Sequence, residues 1–350
     1  MLEEIRQQPS ALERTLQGAR EAIGELRGYL SRRRPPLIVL AARGTSDNAA
    51  QFGRYLLEIT TGIPVSLAAP SVTTLYGAKL RLENALVVGI SQSGESTDIN
   101  MFLESARDEG ALTVGVTNEA GSTLARLARH SFVLAAGRET SVPATKTYTG
   151  QLLAMYLLAH ALGAPIQLED LERLPEWTQK ALDLEPRVAA LAAEYTAIEH
   201  AIIVGRGLDY ANALEFGLKL MEACYVVAER FSGADFLHGP IALVEKTFPV
   251  FVFAPPGLTW PGTRDMIESL GRLGARIVTI TDRSNPEAAA LAGDTVVVPA
   301  VVAEQTALPI EFLTPIPYIV PAQLFTAHLA RSKGLNPDQP RTLSKVTKTV

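Results

Sequence analysis

Only one cysteine, Cys224, stands in 350 residues. That excludes an intramolecular disulfide and a cysteine-based zinc site, and it suits a reducing cytoplasm. The five histidines show no metal-ligand spacing. Basic clusters are scarce as well: none runs longer than Arg32-Arg33-Arg34 and the formal charge is −5, so a nucleic-acid surface is not expected. Long apolar runs are missing. The stretch from Gln151 to Ala159 falls far short of the ~20 residues a membrane-spanning helix needs, and the opening MLEEIRQQPSALERTLQ has no apolar core of the signal-peptide kind. The expectation is a soluble, cytoplasmic protein that captures any anionic ligand locally.

What is present is apolar side chain in quantity, 47% of the residues against 20% charged, enough for well-formed cores. The length favours two domains of ~150 residues each. Short β-branched runs alternate with helical patterns, which predicts an α/β fold with parallel sheets covered on both faces. Strands are predicted over 37–41, 85–90, 112–116 and 131–134, and again over 201–204, 249–253, 276–280 and 295–298.

These runs pair off at an offset of 163 or 164 residues. Gly94 matches Gly257, Leu112-Thr113-Val114 matches Arg276-Ile277-Val278, and Arg43-Gly44 matches Arg206-Gly207, the signature of a duplicated domain. The expected division is a helical segment over 1–34, a first domain over 35–166, a helical connection over 167–195, a second domain over 196–330 and a tail over 331–350. The copies differ in the loop after their second predicted strand. It reads Ser91-Gln92-Ser93-Gly94-Glu95-Ser96 in the first half and Ala254-Pro255-Pro256-Gly257-Leu258-Thr259 in the second. Proline supplies no N–H, so the second copy is expected to have lost its anion donors and only the first to hold phosphate.

A serine-rich turn between a parallel strand and a helix offers hydroxyls and unpaired N–H groups where the helix dipole favours an anion. Gly94 permits close backbone approach, and Ser91, Ser93 and Ser96 can each donate to a phosphate oxygen. Thr45 and Ser46, placed at the end of the first predicted strand in Gly44-Thr45-Ser46, are expected beside this loop. In the second half, Glu215, Lys219 and Glu222 recur at i, i+4 and i+7 and so share one helix face; a solvated ion pair is the plainer reading of them. His238, in Leu237-His238-Gly239-Pro240, lies in a turn that should expose its imidazole, suiting acid–base work. Lys345 reads by itself as a surface lysine.

Taken together, Gly44-Thr45-Ser46, Ile90 to Ser96, Ala144-Thr145-Lys146, Gly205 to Glu222, Leu237-His238-Gly239-Pro240 and Asp338-Gln339-Pro340-Arg341 resemble the isomerase part of the glutamine–fructose-6-phosphate aminotransferase family, built from two tandem SIS (sugar isomerase) domains of doubly wound, flavodoxin-like type. The resemblance implies that Ser46, Thr45, Ser91, Gln92, Ser93 and Ser96 hold a sugar phosphate, and that Val142, Ala144 and Ser344 line the sugar. It implies that Glu222 moves a proton between C1 and C2 beside Lys219. His238 would assist ring opening from the other subunit of a homodimer, and Lys345 would form a Schiff base with the ketose. No metal or redox cofactor is implied. The chain shows no glutaminase segment ahead of the sugar domains, so the expected reaction is the deaminating one, from glucosamine 6-phosphate to fructose 6-phosphate and ammonia. An ammonia-dependent synthase, a fructosamine-phosphate deglycase and a non-catalytic sugar-phosphate regulator are the alternatives. Arg43, Pro143-Ala144 and Met221 depart from the synthase pattern.

Overall fold

A computed structural model of the chain describes residues 1–302 and 308–345. It contains two five-stranded sheets, all of whose pairings are parallel. The first holds β1 (Ile38–Ala41), β2 (Val65–Leu67), β3 (Leu86–Ile90), β4 (Leu112–Thr117) and β5 (His130–Val133), in the order β2-β1-β3-β4-β5. The second holds β6 (His200–Gly205), β7 (Val227–Ser232), β8 (Pro249–Phe253), β9 (Arg276–Asp282) and β10 (Asp294–Val298), in the order β10-β9-β8-β6-β7. Read from opposite edges these are one topology. The duplication also holds at the level of register, because the pair Ile38↔Leu86 recurs as Ile202↔Val250, each partner shifted by 164 residues.

The central strands were legible because a sheet covered on both faces needs apolar side chains at every position: β1, β3 and β4 are buried throughout. Two strands escape the sequence reading. β2 has three residues, and β7, Val-Ala-Glu-Arg-Phe-Ser, lies at a sheet edge with Val227 and Glu229 exposed. β2 is too short, and β7, interrupted by Glu229 and Arg230, too polar to show the apolar run that announces the other strands.

The chain divides into two compact units. One gathers Ser10–Glu139, Lys146–Glu172 and the chain end from Ser344; the other gathers Met1–Pro9, Thr140–Thr145 and Arg173–Leu343. In the first unit, the helices Thr45–Thr61 and Lys146–Ala161 pack closely, and Gly53 faces the Met155 side chain where a Cβ would collide with its sulfur. In the second, the helix Tyr210–Cys224 packs on Pro315–Ser332, and Phe216, Phe251 and Phe325 meet edge to face at 5.1 to 5.9 Å. No helix among the described residues is long and apolar enough to cross a membrane.

Candidate sugar-phosphate site and proton-transfer helix

The serine loop leaves β3 and enters the helix Thr97–Asp108 with Ser96 as its N-cap. Gly94 takes φ +66, and a Cβ there would run into the Ser122 side chain. The hydroxyls are arranged by the backbone. Gly94 N donates to Ser91 Oγ at 3.2 Å, Glu95 N donates to Ser93 Oγ at 3.2 Å, and Ser91 Oγ lies 3.1 Å from Ser96 Oγ. A hydroxyl whose oxygen accepts from an N–H retains its own hydrogen to donate, which for Ser93 is the half-buried, outward side of the loop. Ser96 does not cap its helix with its side chain, so that oxygen is not committed to the helix start.

Glu95 is the one anion in the loop, and it is turned to other work. Its carboxylate accepts from Thr123 N and Thr123 Oγ1, both at 2.8 Å, and these two bonds hold its pKa below the ordinary carboxylate value. At the end of β1, Arg43 pairs with the buried Asp98 at 2.8 Å, which ties this turn to the first turn of the serine-loop helix. Ser46 is buried, and Gln151 Nε2 donates to its Oγ at 2.9 Å. Gln151 is a residue that sequence reasoning missed: it lies in an almost wholly buried helix, Lys146–Ala161, and looks there like core. Replacing Gly94 with alanine is expected to lower the melting temperature and to weaken sugar-phosphate binding at least tenfold. The left-handed φ costs a β-carbon roughly 1–2 kcal/mol, and the Ser122 collision must be relieved by moving the loop. Thermal melts and a ligand titration check this.

The second copy of the loop departs from expectation in an instructive way. Its donors are not all lost. Thr259, which stands where Ser96 stands, keeps N–H and hydroxyl, and both donate to Glu311 Oε2, at 3.2 and 3.3 Å. A Cβ on Gly257, the counterpart of Gly94, would come within 2.5 Å of the same oxygen. A carboxylate of the chain itself thus occupies the position that corresponds to the first copy's candidate anion site.

The charges on the helix Tyr210–Cys224 are not on a solvated face. Glu215 and Lys219 have side chains 0% and 1% exposed, and Glu222 is 22% exposed. Lys219 Nζ lies 3.4 Å from Glu215 Oε1 and 2.5 Å from Glu222 Oε2. Burial pulls the lysine pKa down, but the two carboxylates outweigh it and the net shift is upward, so Lys219 stays an ammonium. Glu222, the member that reaches solvent, is a carboxylate held against a fixed positive charge.

His238 is exposed, as its turn suggests, and among the described residues its ring is not hydrogen-bonded to Glu222. It opens onto a cavity of about 520 Å³ with Arg206, Leu237 and Thr259 in the wall. Arg206 was not singled out from sequence, although its place after β6 repeats that of Arg43 after β1. Val142 and Ala144 fall in the unit of the second sheet, where Val142 N donates to Asp338 O at 3.0 Å. Ser344 and Lys345 fall in the other unit. There Lys345 Nζ lies 3.2 Å from Glu139 Oε2, so the lysine is an ion-pair partner rather than a plain surface residue.

Behind the second sheet's loops lies a buried acid, Asp209, 1% exposed, with Asn212 Nδ2 donating to it at 2.7 Å. Burial raises its pKa to about 7; the Asn212 bond opposes the rise and the charge of Glu311 adds to it. The folded state therefore binds this proton more tightly than the unfolded chain. Its contribution to stability is full below the unfolded value near 3.8 and is lost as pH climbs through about 7. Asp209→Asn, always neutral, is expected to gain on the wild type by roughly a few kcal/mol between pH 5 and pH 8. Urea unfolding at both pH values measures the gap, which should widen with pH.

Comparisons with known proteins agree with the duplicated fold. The SIS domain model matches residues 33–161 and 194–331, once for each sheet. The glutamine–fructose-6-phosphate aminotransferase [isomerizing] of Methanothermobacter thermautotrophicus is 35% identical over 347 residues, covering 99% of this chain and 56% of that protein. Its namesake from Gloeobacter violaceus is 36% identical over 360 residues, covering 99% and 58%. The chain thus spans a little over half the length of these curated relatives. Among solved structures, the C-terminal domain of glucosamine-fructose-6-phosphate aminotransferase from Francisella tularensis superposes with a TM-score of 0.85 at 26% identity, covering 97% of this chain and 98% of that one. The glucosamine-6-phosphate deaminase from Thermotoga maritima shares the fold, with a TM-score of 0.73 at 22% identity and coverage of 96% and 99%.

Proposed function

The chain belongs to the SIS domain family, and on that premise we propose that it is an isomerising deaminase that converts an amino sugar 6-phosphate, glucosamine 6-phosphate, to fructose 6-phosphate and ammonia. The observation that carries the reading is the Lys219–Glu222 pair. It is a carboxylate positioned by a buried ammonium, and at the 164-residue offset of the duplication the lysine's place in the first copy is taken by Tyr55. Buried charges are costly to keep, and a purely structural role would be served by apolar side chains.

In this reading the serine loop with Ser46 grips the phosphate, and Val142, Ala144 and Ser344 line the sugar. His238 protonates the ring oxygen to open the pyranose. Glu222 takes the C2 proton of the open aldose and returns it to C1, which leaves an imine at C2. The Lys345 amine adds to that C2 carbon and ammonia departs; water then releases fructose 6-phosphate and the free lysine. One water is consumed and one ammonia formed. The working assembly is a homodimer in which a second copy supplies His238, a role that suits an exposed imidazole flanked by the exposed Leu237.

Incubating the pure protein with glucosamine 6-phosphate and assaying both ammonia and fructose 6-phosphate tests the reaction. The reverse mixture, fructose 6-phosphate with ammonium, and a fructosamine phosphate complete the panel. No product from glucosamine 6-phosphate in either direction rejects the proposal, and product from the fructosamine phosphate alone reassigns the enzyme as a deglycase.

A further inference from the structure

Glu139 lies in the connection between β5 and the helix Lys146–Ala161, and its side chain has no exposure to solvent. A carboxylate buried this deeply needs donors on its oxygens. Two come from the start of the helix: Thr147 Oγ1 donates at 2.6 Å to Oε2 and Thr147 N at 3.3 Å to Oε1. The helix N-terminus adds its dipole to the same end. The third is Lys345 Nζ, 3.2 Å from Oε2. Lys146, the first residue of the helix, is also buried and sends its ammonium to Arg138 O at 2.8 Å.

We propose that Glu139 is the positioning residue for the tail lysine: a helix-anchored carboxylate that docks the Lys345 ammonium and so selects this amine for the substrate carbonyl. The proposal rests on the reading of Lys345 as the Schiff-base lysine. The carboxylate is rigid because the helix start holds it, whereas the lysine comes from the end of the chain, 206 residues away in sequence. The geometry therefore assigns the direction of control: the tail is placed by Glu139, and Glu139 is placed by Thr147. In the covalent step Lys345, having released its ammonium proton to solvent, adds as the neutral amine to C2: in the forward direction to the imine with loss of ammonia, and in the reverse direction to the carbonyl of fructose 6-phosphate with loss of water. Glu139 forms no bond to substrate. Its part is to hold Lys345 at one place until the amine is called on.

Glu139→Gln keeps an oxygen for Thr147 and removes the charge that holds the ammonium. Two measurements on wild type and variant test the idea. The first is limited acylation with acetic anhydride, read at Lys345 by mass spectrometry. Lys345 is expected to react at least fivefold faster in the variant, with lysines elsewhere unchanged; equal rates overturn the proposal. The second is borohydride trapping with fructose 6-phosphate. The Lys345 adduct is expected to form at least tenfold more slowly in the variant, with kcat lowered and KM nearly unchanged, because the phosphate loop is untouched. An unaltered trapping rate also overturns it. If wild-type Lys345 is protected from acylation yet yields no adduct, the Schiff-base reading fails while the docking by Glu139 stands. Should the variant not fold, wild-type acylation by itself replaces it: Lys345 reacting at least fivefold more slowly than the exposed Lys79 and Lys246 supports the docking, and equal rates overturn it.

Discussion

Glu222→Gln is expected to lower kcat for glucosamine 6-phosphate by roughly 10²–10⁴-fold, the usual worth of a positioned general base, while sugar-phosphate affinity stays within a few-fold. The amide is close in shape to the carboxylate and can still accept from Lys219, whose Nζ lies 2.5 Å from Glu222 Oε2. What it cannot do is take a proton from C2. Affinity is expected to survive because the proposed phosphate grip, Ser91, Ser93, Ser96 and Ser46, lies on the first sheet's side of the duplication. Ser93→Ala supplies the opposite profile, weaker binding with the proton-transfer set intact. Steady-state kinetics with a separate binding titration tells the two apart. If Glu222→Gln turns over at the wild-type rate, the proton shuttle lies elsewhere; if it loses binding and turnover equally, Glu222 is a structural residue.

Lys219→Met is expected to cost about 3–5 kcal/mol of folding stability, the range seen when one partner of a buried ion pair is removed. Glu215 is the reason. Its side chain is wholly buried, and the lysine's ammonium lies 3.4 Å from it. Removing that charge leaves Glu215 to protonate or to open the helix toward water, and both weaken the fold. Denaturant unfolding measures the loss. The double variant Glu215→Gln with Lys219→Met should recover a large part of it, because the stranded charge goes with its partner. A loss below about 1 kcal/mol in the single variant would show that Glu215 is not held by Lys219.

These two outcomes bear on why the charges were hard to read from sequence. The spacing of Glu215, Lys219 and Glu222 shows that they share a face, but a helix face carries no label saying whether water or protein lies against it. Opposite charges at i and i+4 are common on solvated helices. Burial was decided by the packing of the Glu222 helix on Pro315–Ser332 and on β6 and β7, about ninety residues downstream in the first case. The serine loop was easier, because strand, turn and helix are contiguous and the loop's hydrogen bonds join residues a few positions apart. Its twin was half legible: the prolines were visible, but the carboxylate of Glu311 that fills the corresponding position comes from 52 residues beyond Thr259.

Hydrophobic periodicity and the internal repeat were enough to determine the α/β class, the duplication and eight of the ten strands among the described residues, because each of these is written in local spacing along the chain, and they marked out the serine loop as the candidate for an anion. Tertiary structure alone decided the strands β2 and β7, the burial of Lys219 and Glu215, the filling of the second loop by Glu311 and the docking of Lys345 on Glu139. All of these depend on which distant side chains meet. Their energies come from dehydration and from charges brought together by the fold, and neither exists until the chain has closed on itself.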